Sequence, residues 1–467
     1  MKKAVLILAG GKGERLWPVS RRNVPKFFLK IGKKSLIQDA VLRGRRISGL
    51  KNVFVVCGEN HRYLIKDHLA EAGINLSLEN ILPEPEGKNT ACAIAFGIKF
   101  LLAKKENPVV FVLPADHLIK DEKKFLSVLK QAGKLAQEDI IVTVGIKPCF
   151  PHTGYGYIKI NTKCKMKDVK FARVEKFIEK PDIAKAKKYF ESNCYFWNAG
   201  IFIAKADVFW NELKTHRTDI EKGFEKWDGK NFRSLKDIYK NLPCISFDYA
   251  VMEKIKKAYL VEFKGEWNDL GNWNSIYNVL SKDRKGNVFR GRVFSLNSEK
   301  NLVFSTDKRI VALLGVKDLR IITTEDAILI LSPEYSEYVK KIVKNLKNQD
   351  VLENHPTVIR PWGKYTVLEH RDNYKVKIIE VKPGGSLSLQ KHLKRSEEWI
   401  VLKGKAEVQI GKRKHILSED DRVKIPVNKL HRLKNKFKRS VKILEIARGT
   451  YIEEDDIIRV EDIYNRV

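Results

Sequence analysis

Leu8-Ala9-Gly10-Gly11-Lys12-Gly13-Glu14-Arg15-Leu16-Trp17-Pro18, followed by Pro25-Lys26, decides how the first half of this chain is read. Val5 to Leu8 form a short apolar run of the kind that makes a buried strand. The glycines after it carry no Cβ, so main-chain N–H groups can approach an anion closely. Arg15 and Lys26 add mobile positive charge, and together these residues read as a triphosphate cradle. Two familiar phosphate loops are excluded. No Gly-Lys-Ser/Thr ending follows, and Leu16 stands where a dinucleotide fingerprint wants its third glycine. Glycines alone also suit a tight strand-to-helix turn, so the rest of the chain has to decide.

Outward from this loop, Val53 to Cys57, Val109 to Leu113 and Ile140 to Val144 are apolar, β-branched-rich runs, whereas Thr90 to Leu102 and Glu122 to Leu135 have helical spacing. Alternation of this kind predicts an α/β domain with a mostly parallel, Rossmann-like sheet covered on both faces. Such sheets bind ligands beyond the carboxyl ends of their strands. The glycine loop and Asp116 both follow directly after strands, at that edge.

At 467 residues the chain exceeds one ordinary core, so two or three domains are expected. No stretch approaches the length of a membrane span, and the apolar run after Lys2-Lys3 is too short for a signal peptide. Six cysteines, Cys57, Cys92, Cys149, Cys164, Cys194 and Cys244, show neither a Cys-x-x-Cys pair nor a metal spacing, which reads as reduced thiols in a cytoplasmic protein. The formal charge of +33 would attract polyanions. The lysines are spread along the chain rather than gathered into a tail or basic helix, and no nucleic-acid motif accompanies them. The charge therefore reads as a solvated surface favouring anionic substrates, with no specific nucleic acid and no membrane as partner.

The glycine segment resembles the signature of sugar-phosphate nucleotidyltransferases, and Leu16-Trp17-Pro18 with Ser20-Arg21 and Pro25-Lys26 resembles the mannose-1-phosphate guanylyltransferase branch. Seven further blocks follow in order: Glu84-Pro85-Glu86-Gly87-Lys88-Asn89-Thr90-Ala91, Leu113-Pro114-Ala115-Asp116-His117, Thr153-Gly154-Tyr155-Gly156-Tyr157, Phe177-Ile178-Glu179-Lys180-Pro181, Trp197-Asn198-Ala199-Gly200-Ile201-Phe202, Asp248-Tyr249-Ala250-Val251-Met252-Glu253 and Trp267-Asn268-Asp269-Leu270-Gly271. The resemblance implies transfer of GMP from GTP to mannose 1-phosphate, giving GDP-mannose and pyrophosphate. It implies that Ala9, Gly10, Gly11, Gly13, Arg15 and Lys26 meet the triphosphate, and that Glu84, Gly87, Asn89 and Thr90 border the guanine. Glu179 and Lys180 would meet the sugar phosphate, Asn198 the sugar hydroxyls, and Gly154, Tyr155 and Gly156 would shape the sugar pocket. Asp116 and Asp269 would hold Mg²⁺, an ion that favours carboxylate and phosphate oxygens. Arg15, Lys26, Asp116, Lys180 and Asp269 are the catalytic candidates of this domain, taken as 1–280. Lys88 stands where the family usually has Arg, and Phe27 where it usually has Gln.

After about residue 280 short β-runs recur: Val288 to Phe294, Leu302 to Ser305, Ile310 to Leu314, Arg320 to Thr323 and Ala327 to Leu331. They resemble the small β-helix-like module of this family, spanning 281–346, and no fixed period stands out. Tyr335 to Leu346 reads as a helix and Lys347 to Pro356 as a polar connector.

The region 350–467 resembles an all-β cupin barrel. Gly384, Gln390, His392, Glu397 and Gly404, then Pro426, His431 and Asn435, fit both motifs of that fold. Gln390 and His392, two apart on a strand, share a face and can share Zn²⁺ or a similar divalent ion with Glu397 and His431. Arg360-Pro361-Trp362-Gly363, Ser386-Leu387-Ser388-Leu389-Gln390 and Arg395-x-Glu397-x-Trp399 resemble the mannose-6-phosphate isomerase domain of two-domain enzymes. The whole chain thus resembles a bifunctional mannose-1-phosphate guanylyltransferase/mannose-6-phosphate isomerase, with Arg395 as a catalytic cation for interconverting mannose 6-phosphate and fructose 6-phosphate. The family usually has histidine at Lys394 and Glu398, so a guanylyltransferase whose cupin only binds or assembles is the alternative. A basic nucleic-acid-associated protein is a distant third. A homodimer is one assembly left open.

Overall fold

Strand-forming runs of the first half assemble into one nine-stranded sheet in the computed structural model, which describes residues 1–11, 13–161, 171–346 and 350–461. Lys12, Cys164 and the first three positions of the expected polar connector, 347–349, lie outside the described residues. The chain divides into two compact units, 1–324 with 328–347 and 325–327 with 348–467.

In the first unit the sheet runs in the order Ile81–Glu84, Val53–Gly58, Lys3–Ala9, Val109–Pro114, Tyr195–Lys205, Ile141–Ile146, Ala258–Glu262, Ala172–Ile178, Tyr157–Ile160. Tyr195–Lys205 and Ala172–Ile178 run against the rest. Lys3–Ala9, Val53–Gly58, Val109–Pro114 and Ile141–Ile146 are apolar on both sides because both faces are covered there. Leu6 joins one core with Phe54, Val56 and the mostly apolar helix Asn89–Ala103, while Val5 and Ile7 join another with Val53, Val55 and Phe125 of the helix Glu122–Leu135. Because Tyr195–Lys205 is antiparallel to Ile141–Ile146, with Asn198 paired to Gly145, its first residues lie at the carboxyl edge of the parallel strands. Trp197 and Asn198 thereby reach the edge where the glycine loop and Asp116 emerge.

The β-rich module lies in the first unit and is a two-faced coil. Val288–Arg290, Leu302–Ser305 and Arg320–Thr323 stack in parallel on one face, Arg292–Leu296 and Ile310–Leu314 on another, and Ile328–Leu331 closes the first face antiparallel. The expected single run Val288 to Phe294 is two strands, because Gly291 (φ +107°) turns the corner between faces. Coils of unequal length, Val288 on Leu302 but Leu302 on Arg320, hide the repeat in the sequence. Buried Asn301 staples three coils. Its main-chain N–H donates to Asn287 Oδ1 (2.9 Å), its Nδ2 donates to the Val316 carbonyl (3.0 Å), and its Oδ1 accepts from Leu319 N–H (2.9 Å).

Two local expectations are corrected. The helix read over Tyr335 to Leu346 is a 3₁₀ segment, Pro333–Tyr338, followed by an α-helix, Val339–Asn345. The tighter turn eclipses residues three apart and brings the Tyr335 and Tyr338 rings to 5.8 Å. The polar connector contains a short helix, Asp350–Glu353, anchored by buried Leu352.

The second unit packs a six-stranded sheet (Thr357–Arg360, Gly363–His370, Tyr374–Val381, Val441–Gly449, Arg395–Lys403, Arg422–Ile425) and a five-stranded one (Arg413–Leu417, Ala406–Ile410, His431–Lys434, Leu389–His392, Ile457–Glu461) around a core that includes Trp362, Trp399, Val401 and Ile443. No helix among the described residues is long and apolar enough to cross a membrane. The five cysteines among the described residues are free thiols.

Asn301→Ala strands the Leu319 main-chain N–H inside the coil and leaves the Val316 carbonyl with Glu299 N–H alone, so it should destabilise the first unit by about 1–3 kcal/mol. Urea unfolding checks this as a lower midpoint than the parent's.

Candidate functional site

Gly13 sits in the left-handed region (φ +63°), and a Cβ there would meet Lys26 Cβ at 2.6 Å. The loop therefore folds directly against Lys26, which opens the 3₁₀ turn Lys26–Phe28 and is buried. Lys26 Nζ donates to Asp116 Oδ2 (2.6 Å) and to the Asp269 carbonyl oxygen. One ammonium thus ties together the glycine loop, the loop after Val109–Pro114 and the loop after Trp267–Asn268. Burial would raise the Asp116 carboxyl, but the Lys26 ammonium outweighs it and holds the group below its ordinary value. Tyr155 OH donates to Asp269 Oδ1 (2.7 Å), and Gly271 N–H donates to the same oxygen (3.1 Å). Burial and then the Asp269 charge push the Tyr155 phenol up, so it remains a donor. Trp267 Nε1 donates to His117 Nδ1 (3.2 Å), and burial pushes His117 down to about 4, in keeping with a neutral acceptor.

Arg15 lies on the same loop, but its guanidinium donates to Glu337 Oε2 (2.8 Å), while Asn272 Nδ2 donates to Glu337 Oε1 (2.5 Å). Glu337, from the 3₁₀ segment after the coil, therefore links the Arg15 loop to the Asp269 loop. It is 322 positions from Arg15, and no local pattern could have announced it.

Tyr155, Trp197 and Trp267 make an aromatic wall, with Tyr155 ring centroids 5.0 Å from Trp197 and 5.5 Å from Trp267. His152 stacks on Tyr155 at 4.1 Å and accepts from Gly154 N–H (3.0 Å). Behind the wall, Gly156 lets Glu179 approach, since a Cβ there would lie 2.4 Å from Glu179 Oε2. Asn198 N–H donates to the Gly156 carbonyl (2.8 Å). Lys180 pairs with Glu179 (3.2 Å). The structure thus brings Gly156, Glu179, Lys180 and Asn198 together. It adds Asp248, which opens a π-helical turn and accepts from Asn198 Nδ2 (2.5 Å). Burial and then the Glu179 charge push Asp248 up to about 6. Its block stood out in the sequence, yet only the packing gives it a neighbour to act with.

Glu84 lies beneath the loop, its Oε2 3.9 Å from where a Gly10 Cβ would be, and Tyr239 OH donates to its Oε1 (3.1 Å). Asn89 has a positive φ and begins the long apolar helix. Thr90 Oγ1 accepts from Phe247 N–H (2.8 Å), so this hydroxyl serves the packing of the 245–247 segment. A Cβ at Gly87 would meet no atom within 4 Å. Phe27, at the usual glutamine position, is buried against Phe28 and His61.

In the second unit His392, Glu397 and His431 converge, their ligand atoms within 4.8 Å of one another and each residue at most 3% exposed. Glu397 oxygens lie 2.9 Å from His392 Nε2 and 3.5 Å from His431 Nε2. Even so, both His392 ring nitrogens and His431 Nε2 are buried without an aligned hydrogen bond. His431 Nδ1 donates to the Lys429 carbonyl (2.9 Å), which turns the Nε2 lone pair toward the cluster. Trp399 Nε1 (3.1 Å) and Arg395 Nε (3.4 Å) donate to Glu397. A free nitrogen on each imidazole and a carboxylate fit a divalent transition ion. Gln390 lies across from His431, and its amide oxygen accepts from Ser388 Oγ (2.8 Å). Lys394 is exposed, its ammonium 4.8 Å from the Tyr451 ring centroid, and Glu398 alternates outward between buried Glu397 and Trp399. Neither replaced position belongs to the cluster.

Burial pushes Glu84 up to about 7, against the opposing Tyr239 hydrogen bond. A carboxyl with a higher pKa folded than unfolded contributes stability at low pH that is lost as pH rises through about 7. Glu84→Gln, neutral throughout, should be more stable than the parent at about pH 8, on the order of 3 kcal/mol. The gap should shrink toward about pH 5, as thermal unfolding at the two values will read.

Residues 4–286 match the nucleotidyl transferase family, 291–346 the MannoseP isomerase/GMP-like beta-helix domain and 347–462 the mannose-6-phosphate isomerase C-terminal domain. The mannose-1-phosphate guanylyltransferase RfbM of Salmonella typhimurium (strain LT2) is 40% identical over 467 residues, 98% of this chain and 96% of that one. The xanthan biosynthesis protein XanB of Xanthomonas campestris pv. campestris is 38% identical over 470 residues, 99% of this chain and 98% of that one. Among solved structures, the mannose-1-phosphate geranyltransferase from Thermus thermophilus superposes with a TM-score of 0.66 at 30% identity, covering 74% of this chain and all of that one. The chain therefore belongs to the nucleotidyl transferase family, in its mannose-1-phosphate guanylyltransferase branch, and carries the mannose-6-phosphate isomerase C-terminal domain.

Proposed function

We propose that the first unit transfers GMP from GTP to mannose 1-phosphate, releasing pyrophosphate and GDP-mannose, and that the second interconverts mannose 6-phosphate and fructose 6-phosphate. The observation that carries the first part is the meeting of Lys26, Asp116 and the Asp269 loop beside the Gly156, Glu179 and Asn198 pocket. A phosphate oxygen of the sugar attacks the α-phosphorus, the bond to the β-phosphate oxygen breaks, and pyrophosphate leaves with that electron pair. Such transfer depends on positioning and charge neutralisation.

The chain's residues divide these tasks. Glycine-loop N–H groups and the Lys26 and Arg15 cations face the triphosphate. Glu84 beneath them, held close to half neutral near pH 7, repels that charge less than an ordinary carboxylate would. Asn198 and Asp248 offer a donor and an acceptor to sugar hydroxyls, with Glu179 and Lys180 at the sugar phosphate, and the Tyr155, Trp197 and Trp267 wall excludes water. Asp116 and Asp269 present the hard oxygen ligands Mg²⁺ prefers, and that ion supplies further neutralisation of the triphosphate when bound.

For the second unit, the intact cluster favours isomerisation over a purely assembling barrel. His392, Glu397 and His431 would hold Zn²⁺ or a similar ion, with Gln390 as a fourth candidate, and the ion would polarise the carbonyl when bound. Arg395, buried and donating to Glu397 and to the Glu453 carbonyl (2.7 Å), fixes the carboxylate's orientation and brings positive charge beside the cluster.

Asp116→Ala should lower GDP-mannose formation by roughly 100-fold or more and leave mannose 6-phosphate conversion unchanged, measured on one preparation; equal loss of both would refute two separate sites. Mannose 6-phosphate conversion by the metal-loaded parent should stop on adding a chelator and be absent in His392→Ala. Intact GDP-mannose synthesis without any such conversion would leave the first unit as the only catalyst.

A further inference from the structure

Burial alternates along Tyr374–Val381, so Lys375, Lys377, Ile379 and Val381 all face the barrel interior. Two of these four are lysines, and a buried ammonium is costly unless it is paired. Lys377 is paired, with Nζ 3.2 Å from Glu454 and 3.5 Å from Glu445. Lys375 is 5% exposed, and its ammonium makes no hydrogen bond or ion pair with any described residue. Carboxylates of Glu454, Glu453 and Asp350 act on it only from a distance, and burial, together with the Lys377 charge, pulls its ammonium below the ordinary lysine value.

Register says what Lys375 looks toward. It pairs with Ala447, and Ala447 pairs with Glu397, so the ammonium-bearing residue and the metal-cluster carboxylate share one row of the six-stranded sheet. All three face inward. With neighbouring strands about 4.8 Å apart, the main chains of Lys375 and Glu397 stand about 10 Å apart. Only the Ala447 methyl group comes from the strand between them. One row deeper, Lys377, Glu445 and Trp399 occupy the same three places with large side chains, and below them Ile379, Ile443 and Val401 close the core. The small residue thus falls in the one row that has an unpaired cation at one end and a cluster of unspent ligand atoms at the other.

We propose that Lys375 is the anion subsite of the barrel and takes the phosphate of a hexose 6-phosphate whose carbonyl end lies at His392, Glu397 and His431. This rests on the isomerase reading of the second unit. A hexose 6-phosphate carries its dianion and its reacting oxygens at opposite ends of a short carbon chain, matching the two ends of the row. Lys375 acts by binding and has no part in proton transfer.

The test uses full-length, metal-loaded protein with GDP-mannose saturating the first unit. Lys375→Met should raise KM for mannose 6-phosphate about tenfold or more with a small change in kcat, weaken mannose 6-phosphate binding by the same factor in calorimetry, and leave bound metal and affinity for unphosphorylated mannose unchanged. Lys375→Arg, which keeps the charge, should restore most of the loss. Unchanged KM and Kd for mannose 6-phosphate, or equal weakening of mannose and mannose 6-phosphate, would overturn the assignment. A parent that binds but does not convert mannose 6-phosphate would sink the isomerase reading alone, since the calorimetric comparison still decides the role of Lys375. Should Lys375→Met lose its metal or its fold, competition on the parent replaces it. Inorganic phosphate that raises the apparent Kd of mannose 6-phosphate but not that of mannose supports the subsite, and failure to compete overturns it.

Discussion

The Lys26 ammonium is the point on which the first unit's site depends. It lies buried between Asp116 Oδ2 and the Asp269 carbonyl oxygen, directly under the glycine loop. Without a cation there, two carboxylate-bearing loops from distant parts of the chain would meet with like charge in a partly buried cleft. With it, the loops that carry Asp116 and Asp269 are held beside the glycine loop. Gly13 belongs to the same device, because any side chain there would displace Lys26.

The two units meet the same problem, placing charge where it has a use, in different ways. At the carboxyl edge of the large sheet, charge is shared among pairs: Lys26 with Asp116, Arg15 with Glu337, Lys180 with Glu179. Arg15 and Lys180 keep part of their side chains exposed in these pairs, whereas Lys26 is buried. In the barrel the histidines and Glu397 are almost wholly buried, with both His392 ring nitrogens and His431 Nε2 lacking an aligned hydrogen bond. Unsatisfied buried nitrogens are rare in folded proteins, so their concentration in one place is a sign of ligand chemistry rather than of packing.

Placement of the aromatic residues follows from strand direction. Tyr195–Lys205 runs against its neighbours, so Trp197 and Asn198 come to the ligand-binding edge from the start of a strand rather than from its end. Tyr157–Ile160 pairs with the same segment and carries Tyr155 and Gly156 to it. Glu179 and Lys180 likewise follow Ala172–Ile178, the other strand that runs against the rest, so the Gly156, Glu179 and Asn198 group rests on the antiparallel part of the sheet and the glycine loop and Asp116 on its parallel part.

Much of this was legible in the chain itself. Apolar runs and helical spacing located Lys3–Ala9, Val53–Gly58, Val109–Pro114 and the helix Glu122–Leu135, because burial on both faces imposes patterns that span only a few residues. The glycine loop, Asp116 and the histidine-bearing strand of the barrel were visible for the same reason, as residue types whose chemistry is read locally. What the tertiary structure alone decided was which of these residues meet. The link from Arg15 to Glu337, the Asp248 partner of Asn198, the unequal coils stapled by Asn301 and the row joining Lys375 to Glu397 through Ala447 all depend on strand order and register. Those are set by how distant segments pack, and the local alternation of residues carries no record of them.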